Sequence, residues 1–256
     1  MQSCIKDIWT FDYSSCNGMP RTFPFFADGY PGILFHQTDG GLYLNDKQKL
    51  STIFLYGQTV RPIELVAKGN ASLTVLVLYP HVIKYLFGIN ASELTDDCID
   101  LITLSGSTER LFLERLNELT TREEKISLLQ DYLEYLLQYR KTKPDHSLEY
   151  AVTEILRSGG AVELRLLQKQ VFITERTMER RFERHVGVSP KLFARICRFR
   201  SSLQLMKSNT SKRLGNIAFE AGYADQPHFV RNFKEFTGLS PIEFLHRFAS
   251  KPGLTY

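Results

Sequence analysis

The chain has 256 residues, 43% of them hydrophobic and 12% aromatic, which excludes global disorder and is enough for two domains with a core each. The net charge of +4 assigns no partner, but residues 1–140 carry 12 basic and 17 acidic side chains (net −5), whereas residues 141–256 carry 20 and 11 (net +9). No apolar run approaches the ~18 to 20 residues that cross a bilayer and no signal peptide is visible, so we expect a soluble, cytoplasmic protein without a membrane partner.

The first predicted elements are short β-strands between Ile33 and Pro80. Their sequences are ILFH, GLYLN, STIFLYG, PIELVAKG and ASLTVLVLY. Asp39-Gly40-Gly41 and Asn45-Asp46 supply turn residues between them, and we interpret TDGG as a hairpin turn rather than part of a site. These features predict an all-β module, either a small barrel or a sandwich.

After Pro80 the hydrophobic period becomes helical. HVIKYLFG predicts a short helix, and TREEKISLLQDYLEYLLQYRK predicts the longest one, in which Thr121 and Glu124 fit a capping box. Its apolar stripe consists of Ile126, Leu129, Leu133 and Leu136. The stripe either covers the β module or pairs with its copy in a homodimer through the helix from Thr121 to Arg140, and the sequence leaves both alternatives open.

The segment KTKPDHS, Lys141 to Ser147, is short and polar and contains Pro144, which predicts a linker. The sequence after this linker is predicted to be helical, with glycines between the helices. We therefore predict an α+β multidomain chain: a β-barrel-like domain with helices over residues 1–140, a linker over 141–147, and an all-α domain over 148–256. The +9 charge predicts that this last part binds a polyanion, with a solvated basic surface as the alternative.

The all-α part contains an internal repeat. MERRFERHVGVSPKLF, from Met178 to Phe193, aligns without gaps on FVRNFKEFTGLSPIEF, from Phe229 to Phe244, at an offset of 51 residues. Each copy reads as a helix, a short turn, a second helix and a G-x-S-P break. This arrangement is a helix-turn-helix, whose second helix can lie in the major groove of DNA.

The second helix of each copy carries the candidate DNA-reading side chains. Asp225 and Thr174 are expected to cap these helices, and Pro227 is tolerated because first-turn N–H groups have no partner within the helix. Helical spacing places Phe229 and Phe233 inward in one copy, and Met178 and Phe182 inward in the other. The outward residues that we expect to read bases are Arg176, Glu179, Arg180, Gln226, Pro227 and Arg231.

These residue types suit the edges of base pairs, because arginine can donate two hydrogen bonds to guanine, glutamine can pair with adenine, and glutamate can accept from cytosine. The alternative is that they are solvated positions on ordinary helices, which two matched copies in a basic half disfavour. Residues expected to contact phosphate or to position the helices are Thr174, Arg181, Arg184, Lys191, Asp225 and His228. Further phosphate candidates are Arg165, Lys169, Arg195 and Arg198, and the alternative for the last two is a salt bridge to Glu175, Glu179 or Glu183.

IAFEAGYADQPHFVRNFKEFTGLSP is similar to the second helix-turn-helix of AraC/XylS-type transcription regulators, and with the first copy the match covers about residues 148–248. The resemblance implies two helix-turn-helix units joined by the helix from Phe193 to Met206. It also implies recognition helices that enter successive major-groove faces of double-stranded DNA. The first unit departs from the pattern at two positions, with Phe172 where the family usually has glycine and Gln168 where it usually has alanine.

The N-terminal half resembles the cupin-like sensing domain of such regulators through GQTVRPIEL and LYPHVIKYLFGINASELTD. The resemblance implies a transcription regulator, with activation favoured over repression, that has RNA polymerase and a small-molecule effector as further partners. Two alternatives stay open: a ligand-independent regulator whose first half only dimerises, and an enzyme that its second half targets to DNA.

Catalytic and metal chemistry have little support in the sequence. The cysteines are scattered without a C-x-x-C pair, and the histidines of the β module lack H-x-H spacing. G-x-S-x-G and G-x-x-x-x-G-K motifs are absent. We expect reduced structural thiols, no metal, no cofactor and no enzymatic activity. The residues concerned are Cys4, Cys16, Cys98, Cys197, His36 and His81.

Overall fold

The computed structural model describes residues 4–15, 19–104, 106–139, 143–208 and 213–248. Predictions for Cys16, Arg140, Lys141 and Thr142 therefore lie outside the described residues. The strands are β1 Ile5–Tyr13, β2 Arg21–Phe25, β3 Gly32–Thr38, β4 Leu42–Leu44, β5 Gln48–Lys49, β6 Ile53–Tyr56, β7 Ile63–Ala67, β8 Ala71–Leu78 and β9 Cys98–Asp100.

Helices fill the rest of the N-terminal half and the C-terminal half. The first group comprises α1 Ile83–Phe87, a 3-10 helix Ala91–Leu94, α2 Leu101–Leu104, α3 Ser107–Arg115 and α4 Arg122–Tyr139. The second group comprises α5 His146–Arg157, α6 Leu164–Gln170, α7 Glu175–His185, α8 Pro190–Ser208, α9 Leu214–Glu220, α10 Gln226–Thr237 and α11 Pro241–Phe248. Helix α5 begins at His146 and is capped by Asp145, so the last residues of the predicted linker over 141–147 belong to this helix.

The strands form two antiparallel sheets in the orders β1-β8-β3-β6-β9 and β2-β7-β4-β5. The five predicted runs correspond to β3, β4, β6, β7 and β8, and the expected N-terminal β domain is confirmed. Strands β1 and β2 were missed: β1 is an edge strand with charged residues among its apolar ones, and β2 is an edge strand that contains Pro24. Edge strands tolerate such residues because one side of the backbone has no ladder to complete.

The turn at Asp39-Gly40-Gly41 is not a hairpin, which corrects the prediction from the sequence. It connects β3 to β4, which belong to different sheets, so the chain crosses between the layers there. Its backbone pairs instead with the turn before β8, since the Gly40 amide donates to the Lys68 carbonyl (2.8 Å) and the Asp39 amide donates to the Asn70 carbonyl (3.1 Å). The Asn45-Asp46 turn does form a hairpin, between β4 and β5.

The apolar stripe of α4 is buried within its own chain. Leu129, Leu133 and Leu136 are buried in a core that they share with α1, α3 and the first sheet. The Thr121 amide donates to Glu124 Oε2 (3.1 Å) and the Glu124 amide to Thr121 Oγ1 (3.3 Å), which is the expected capping box. Of the two alternatives for the stripe, the structure therefore shows the first, in which α4 covers the β domain.

The two halves meet around α8, the central helix of the C-terminal core. Phe26, from the connection between β2 and β3, packs its ring 5.3 Å from that of Phe244 and 5.9 Å from that of Phe248. A second contact lies at the end of α7, where Thr95 Oγ1 donates to the Gly187 carbonyl (2.8 Å). The N-terminal domain thus touches both units of the repeat.

Candidate nucleic-acid interface

The two copies of the repeat form the same backbone turn between their first and second helices. After α9 the Gly222 amide donates to the Phe219 carbonyl (3.0 Å) and the Tyr223 amide to the Ala218 carbonyl (2.9 Å). After α6 the Phe172 amide donates to the Lys169 carbonyl and the Ile173 amide to the Gln168 carbonyl, both at 3.3 Å. The turn therefore needs a left-handed residue at its second position, and Phe172 (φ 53°) adopts that conformation as Gly222 (φ 77°) does.

Side-chain caps fix where each recognition helix begins. Asp225 Oδ1 accepts the His228 amide at 2.7 Å at the start of α10, and Thr174 Oγ1 accepts the Thr177 amide at 3.3 Å at the start of α7. Both predicted caps are therefore present. Each satisfies an amide that would otherwise have no intrahelical partner, so neither residue depends on DNA for its place in the fold.

The inward faces of both recognition helices are as the repeat predicts. Met178, Phe182, Phe229 and Phe233 are completely buried in the C-terminal core. Val230, which is adjacent to Arg231, is half-buried against that core, and this narrows the exposed stripe of α10.

The outward face of each recognition helix is open to solvent. Arg176, Glu179 and Arg180 are exposed on α7, and Gln226, Pro227 and Arg231 are exposed on α10. The structure places each group on one helix face, but the two groups belong to separate units joined by α8. Helix α8 has 19 residues, about 28 Å, which is close to the ~34 Å that separates successive major-groove segments on one side of DNA.

The basic residues divide into exposed and internally bonded side chains. Arg165, Lys169, Arg184 and Lys191 are exposed and form no ion pair among the described residues. Arg181 Nη1 lies 3.1 Å from Oδ1 of Asp145, the residue that caps α5. Its charge is therefore already paired within the protein, and this weakens its expected role as a phosphate contact.

Arg195 and Arg198 of α8 both have partners within the protein. Arg195 pairs with Glu235 on α10, and Arg198 Nη2 donates to the Gly160 carbonyl at 2.7 Å. Neither arginine forms the alternative salt bridge to an acidic residue of α7, because their partners lie on α10 and in the connection after α5.

A buried polar network that sequence reasoning missed supports the second unit. The Asn232 amide lies 2.8 Å from Tyr223 Oη, and in the orientation that satisfies both groups its oxygen accepts from Arg195 Nη2 at 2.8 Å. Burial raises the pKa of the Tyr223 hydroxyl, so it stays protonated, and in this orientation its oxygen accepts from the Asn232 amide nitrogen. His228 is half-buried, with its ring 5.4 Å from that of Tyr223.

The described cysteines are packed in or against the hydrophobic cores, and His36 is buried. Burial raises the pKa of Cys4 and Cys98 to about 11 and that of Cys197 to about 12, so these thiols are protonated at neutral pH. His36 Nε2 lies 3.0 Å from the Ser51 carbonyl, and burial lowers the His36 pKa to about 4. Within the described ranges no group of three or more metal-binding side chains occurs.

None of the described helices combines the length and the hydropathy needed to span a membrane.

Two family models match the chain. One, described as a helix-turn-helix domain, covers residues 167–247, and the other, described as a domain of unknown function (DUF6597), covers residues 1–100. The first contains both recognition helices and the joining helix. The second contains both sheets.

Among curated proteins, the chain is 23% identical over 193 residues to the HTH-type transcriptional activator RhaS of Escherichia fergusonii, covering 68% of this chain and 69% of that protein. An uncharacterized HTH-type transcriptional regulator of Haemophilus influenzae is 37% identical over 63 residues, which cover 25% of this chain and 21% of that protein. The similarity to RhaS extends well beyond the helix-turn-helix domain.

Among solved structures, ToxT of Vibrio cholerae O395 bound to (E)-4-(8-methylnaphthalen-1-yl)but-3-enoic acid matches with a TM-score of 0.53 at 15% identity, over 94% of this chain and 99% of that one. Unsaturated fatty acid bound wild-type ToxT of Vibrio cholerae strain SCE256 matches with a TM-score of 0.51 at 14% identity, over 96% and 97%. At these identities the likeness is one of fold, and it extends over both domains.

Proposed function

We propose that this chain, whose C-terminal half is a double helix-turn-helix domain of the AraC type, binds specific DNA sites through both recognition helices and regulates transcription from nearby promoters. The observation that carries the proposal is the repeated unit itself. Two capped helices with buried aromatic or apolar inner faces present open polar faces, and they are joined by a helix of suitable length. DNA-binding regulation is what the chain shares with RhaS, and we propose activation as its sign.

Within this function, the open face of α7 reads one half-site through Arg176, Glu179 and Arg180. The open face of α10 reads the other through Gln226, Pro227 and Arg231. Arginine and glutamine form paired hydrogen bonds with guanine and adenine, whereas proline contributes apolar contact. Arg184 and Lys191 supply phosphate contacts, which add affinity without reading sequence.

We further propose that the N-terminal domain conveys the state of a small-molecule effector, since it contacts both helix-turn-helix units. Contact with RNA polymerase belongs to the same proposal. A homodimer would have to use a surface other than the α4 stripe, because Leu129, Leu133 and Leu136 are already buried within one chain.

The first test is selection of DNA sites in vitro, followed by footprinting and binding isotherms at fixed salt. Arg231→Ala and Arg180→Ala should each cost about 1 to 3 kcal/mol on the selected site and relax base preference at one position. Lys47→Ala removes an exposed charge from a turn of the N-terminal domain and is the matched control. Wild-type affinity and selectivity in Arg231→Ala would show that this residue does not read a base.

The second test separates phosphate contact from base reading. Arg184→Ala should weaken binding to all sequences alike and reduce the slope of log K against log salt by about one unit. Arg195→Ala is the contrasting variant, because its guanidinium is engaged by Glu235 and should affect folding stability more than the salt slope. A sequence-dependent loss in Arg184→Ala would assign this residue to base reading instead.

A further inference from the structure

A cavity of about 570 Å³ lies where the two domains and the linker meet. The N-terminal domain contributes Tyr79, His81 and Val82 after β8 and Leu137 near the end of α4. The C-terminal half contributes Leu148, Glu149 and Thr153 from α5 and His185 from the end of α7. Its volume is within the range of about 300 to 1,000 Å³ that small-molecule sites occupy.

One lining residue, His81, has a buried nitrogen whose hydrogen-bonding capacity is unmet. Nδ1 of His81 is buried and has no hydrogen-bond partner in the described part of the chain. Burial lowers the pKa of His81 and of His185, so both imidazoles are neutral near pH 7. A neutral imidazole can accept a hydrogen bond at Nδ1, and a buried acceptor without a partner is costly unless a ligand or water satisfies it.

The acidic side chains among the described lining residues are Asp145 and Glu149. The side chain of Glu149 is 17% exposed, and its paired group is Nδ1 of the exposed His146, 3.4 Å away. Burial lowers the pKa of His81 and raises that of Cys4, and the negative charge of Glu149 raises the pKa of both. This charge therefore acts on both lining residues. Asp145 is bound by Arg181, and no lysine or arginine occurs among the described lining residues.

Another part of the wall is apolar and aromatic. Val82, Leu137 and Leu148 line it, and the Tyr79 ring lies 6.1 Å from the ring of His81. An ammonium group beside Glu149 would gain a charge-assisted hydrogen bond. An apolar body attached to that ammonium would fill the rest of the cavity.

We propose that this cavity binds an organic cation, namely a primary amine on an apolar or aromatic body, and that it is the effector site of the regulator. The inference rests on the proposed function for its regulatory part. His185 is the last residue of α7, and Arg181 on the same helix bonds to Asp145 at the cavity edge. An occupant of the cavity therefore touches the end of the first recognition helix.

The test is calorimetric titration of the full chain with probes that share one body: phenethylamine, 2-phenylethanol and phenylacetate, with hexylamine as a second amine. Both amines should bind and raise the melting temperature by at least about 2 °C at saturation, whereas the alcohol and the carboxylate should not. Absence of binding by both amines, or equal binding by the carboxylate, would overturn the proposal.

Substitutions of lining residues test whether the amine binds in this cavity. Glu149→Gln keeps the side-chain shape and should weaken amine binding by about tenfold or more, since a hydrogen bond to a charged group is replaced by a neutral one. Thr153→Trp, at the exposed rim, should block entry of the probe. Glu154→Gln is the control on the same helix, because its carboxylate bonds to Arg157 instead. Unchanged amine affinity in both Glu149→Gln and Thr153→Trp would contradict the assignment.

DNA binding provides the independent measurement. Without amine, Glu149→Gln should bind the selected DNA site as the wild type does. Saturating phenethylamine should change the DNA affinity of the wild type and leave that of Glu149→Gln unaltered. Amine binding without an effect on DNA affinity would refute the effector role. Failure of the wild type to select any DNA site would refute the proposed function, while calorimetry still decides the amine site.

Discussion

Phe172 occupies a backbone conformation that suits glycine, and its ring is 93% exposed. The corresponding turn of the second unit has Gly222. The ring makes little contact that could offset the cost of a left-handed conformation, which is about 1 to 2 kcal/mol for a residue with a Cβ. The backbone hydrogen bonds of the turn hold Phe172 in place. The first unit therefore keeps the backbone geometry of the turn although phenylalanine replaces glycine.

We predict that Phe172→Gly stabilises the C-terminal domain by up to about 1 kcal/mol, because relief of the left-handed strain exceeds the added entropy of glycine in the unfolded chain. Denaturant unfolding measures the difference. Phe172→Ala keeps the Cβ and removes the ring, so it should leave stability nearly unchanged. Destabilisation by glycine and alanine alike would mean that the exposed ring itself contributes to folding.

At the scale of single elements, α4 shows how a correct pattern leaves its partner undetermined. The spacing of Leu129, Leu133 and Leu136 predicted an apolar stripe, but a stripe has the same appearance whether it meets its own chain or a second copy. The structure packs it against α1 and α3. The missed strands have a related cause, since an edge strand such as β1 needs little of the alternation by which a strand is recognised.

We predict that Leu133→Ala lowers the free energy of unfolding by about 2 to 5 kcal/mol, because it leaves a cavity in the core under α4. Glu134→Ala, at the exposed neighbouring position, is the control and should change stability by less than about 0.5 kcal/mol. Thermal melts at several protein concentrations give both quantities. A melting temperature that rises with protein concentration in the wild type, and loses this dependence in Leu133→Ala, would place the stripe between subunits.

At the scale of the whole molecule, the connection from Phe26 to Tyr30 docks the N-terminal domain on α8. Gly29 has φ 86°, and a Cβ there would lie within 3.6 Å of Phe193 and Ile196, so the backbone itself packs on the helix. Arg200 Nη1 donates to the Asp28 carbonyl (3.3 Å), and its guanidinium lies 4.8 Å from the Tyr30 ring centre. The domains are therefore joined by a packed contact as well as by the linker.

The Asp28 carboxyl makes this junction sensitive to pH. Burial raises its pKa to about 6, although the Tyr30 amide and Arg200 act in the opposite direction. Its contribution to stability is therefore present below about pH 4 and is lost as pH rises through about 6. Asp28→Asn keeps an acceptor for the Tyr30 amide and cannot ionise. We predict that this variant gains up to about 3 kcal/mol relative to the wild type between pH 4 and pH 7.

Denaturant unfolding at a series of pH values measures this difference. His36 contributes in the other direction, since its lowered pKa makes it lose stability as pH falls from about 6.5 to about 4. Because His36 is present in both proteins, its effect cancels in the comparison. A constant difference between Asp28→Asn and the wild type across this range would show that the carboxyl keeps its ordinary pKa in the folded protein.

Local sequence patterns were enough to predict the two helix-turn-helix units, their caps at Thr174 and Asp225, and the buried faces of α7 and α10. These features depend on residues that are three or four positions apart, and the repeat shows the same spacing in both copies. Tertiary structure alone decided which arginines remain open to DNA, how the N-terminal domain docks, and where the cavity lies. Those outcomes depend on contacts such as Thr95 to Gly187 and Arg200 to Asp28, which are 92 and 172 residues apart. Local periodicity carries no information about partners at such separations, because the packing of the whole chain selects them.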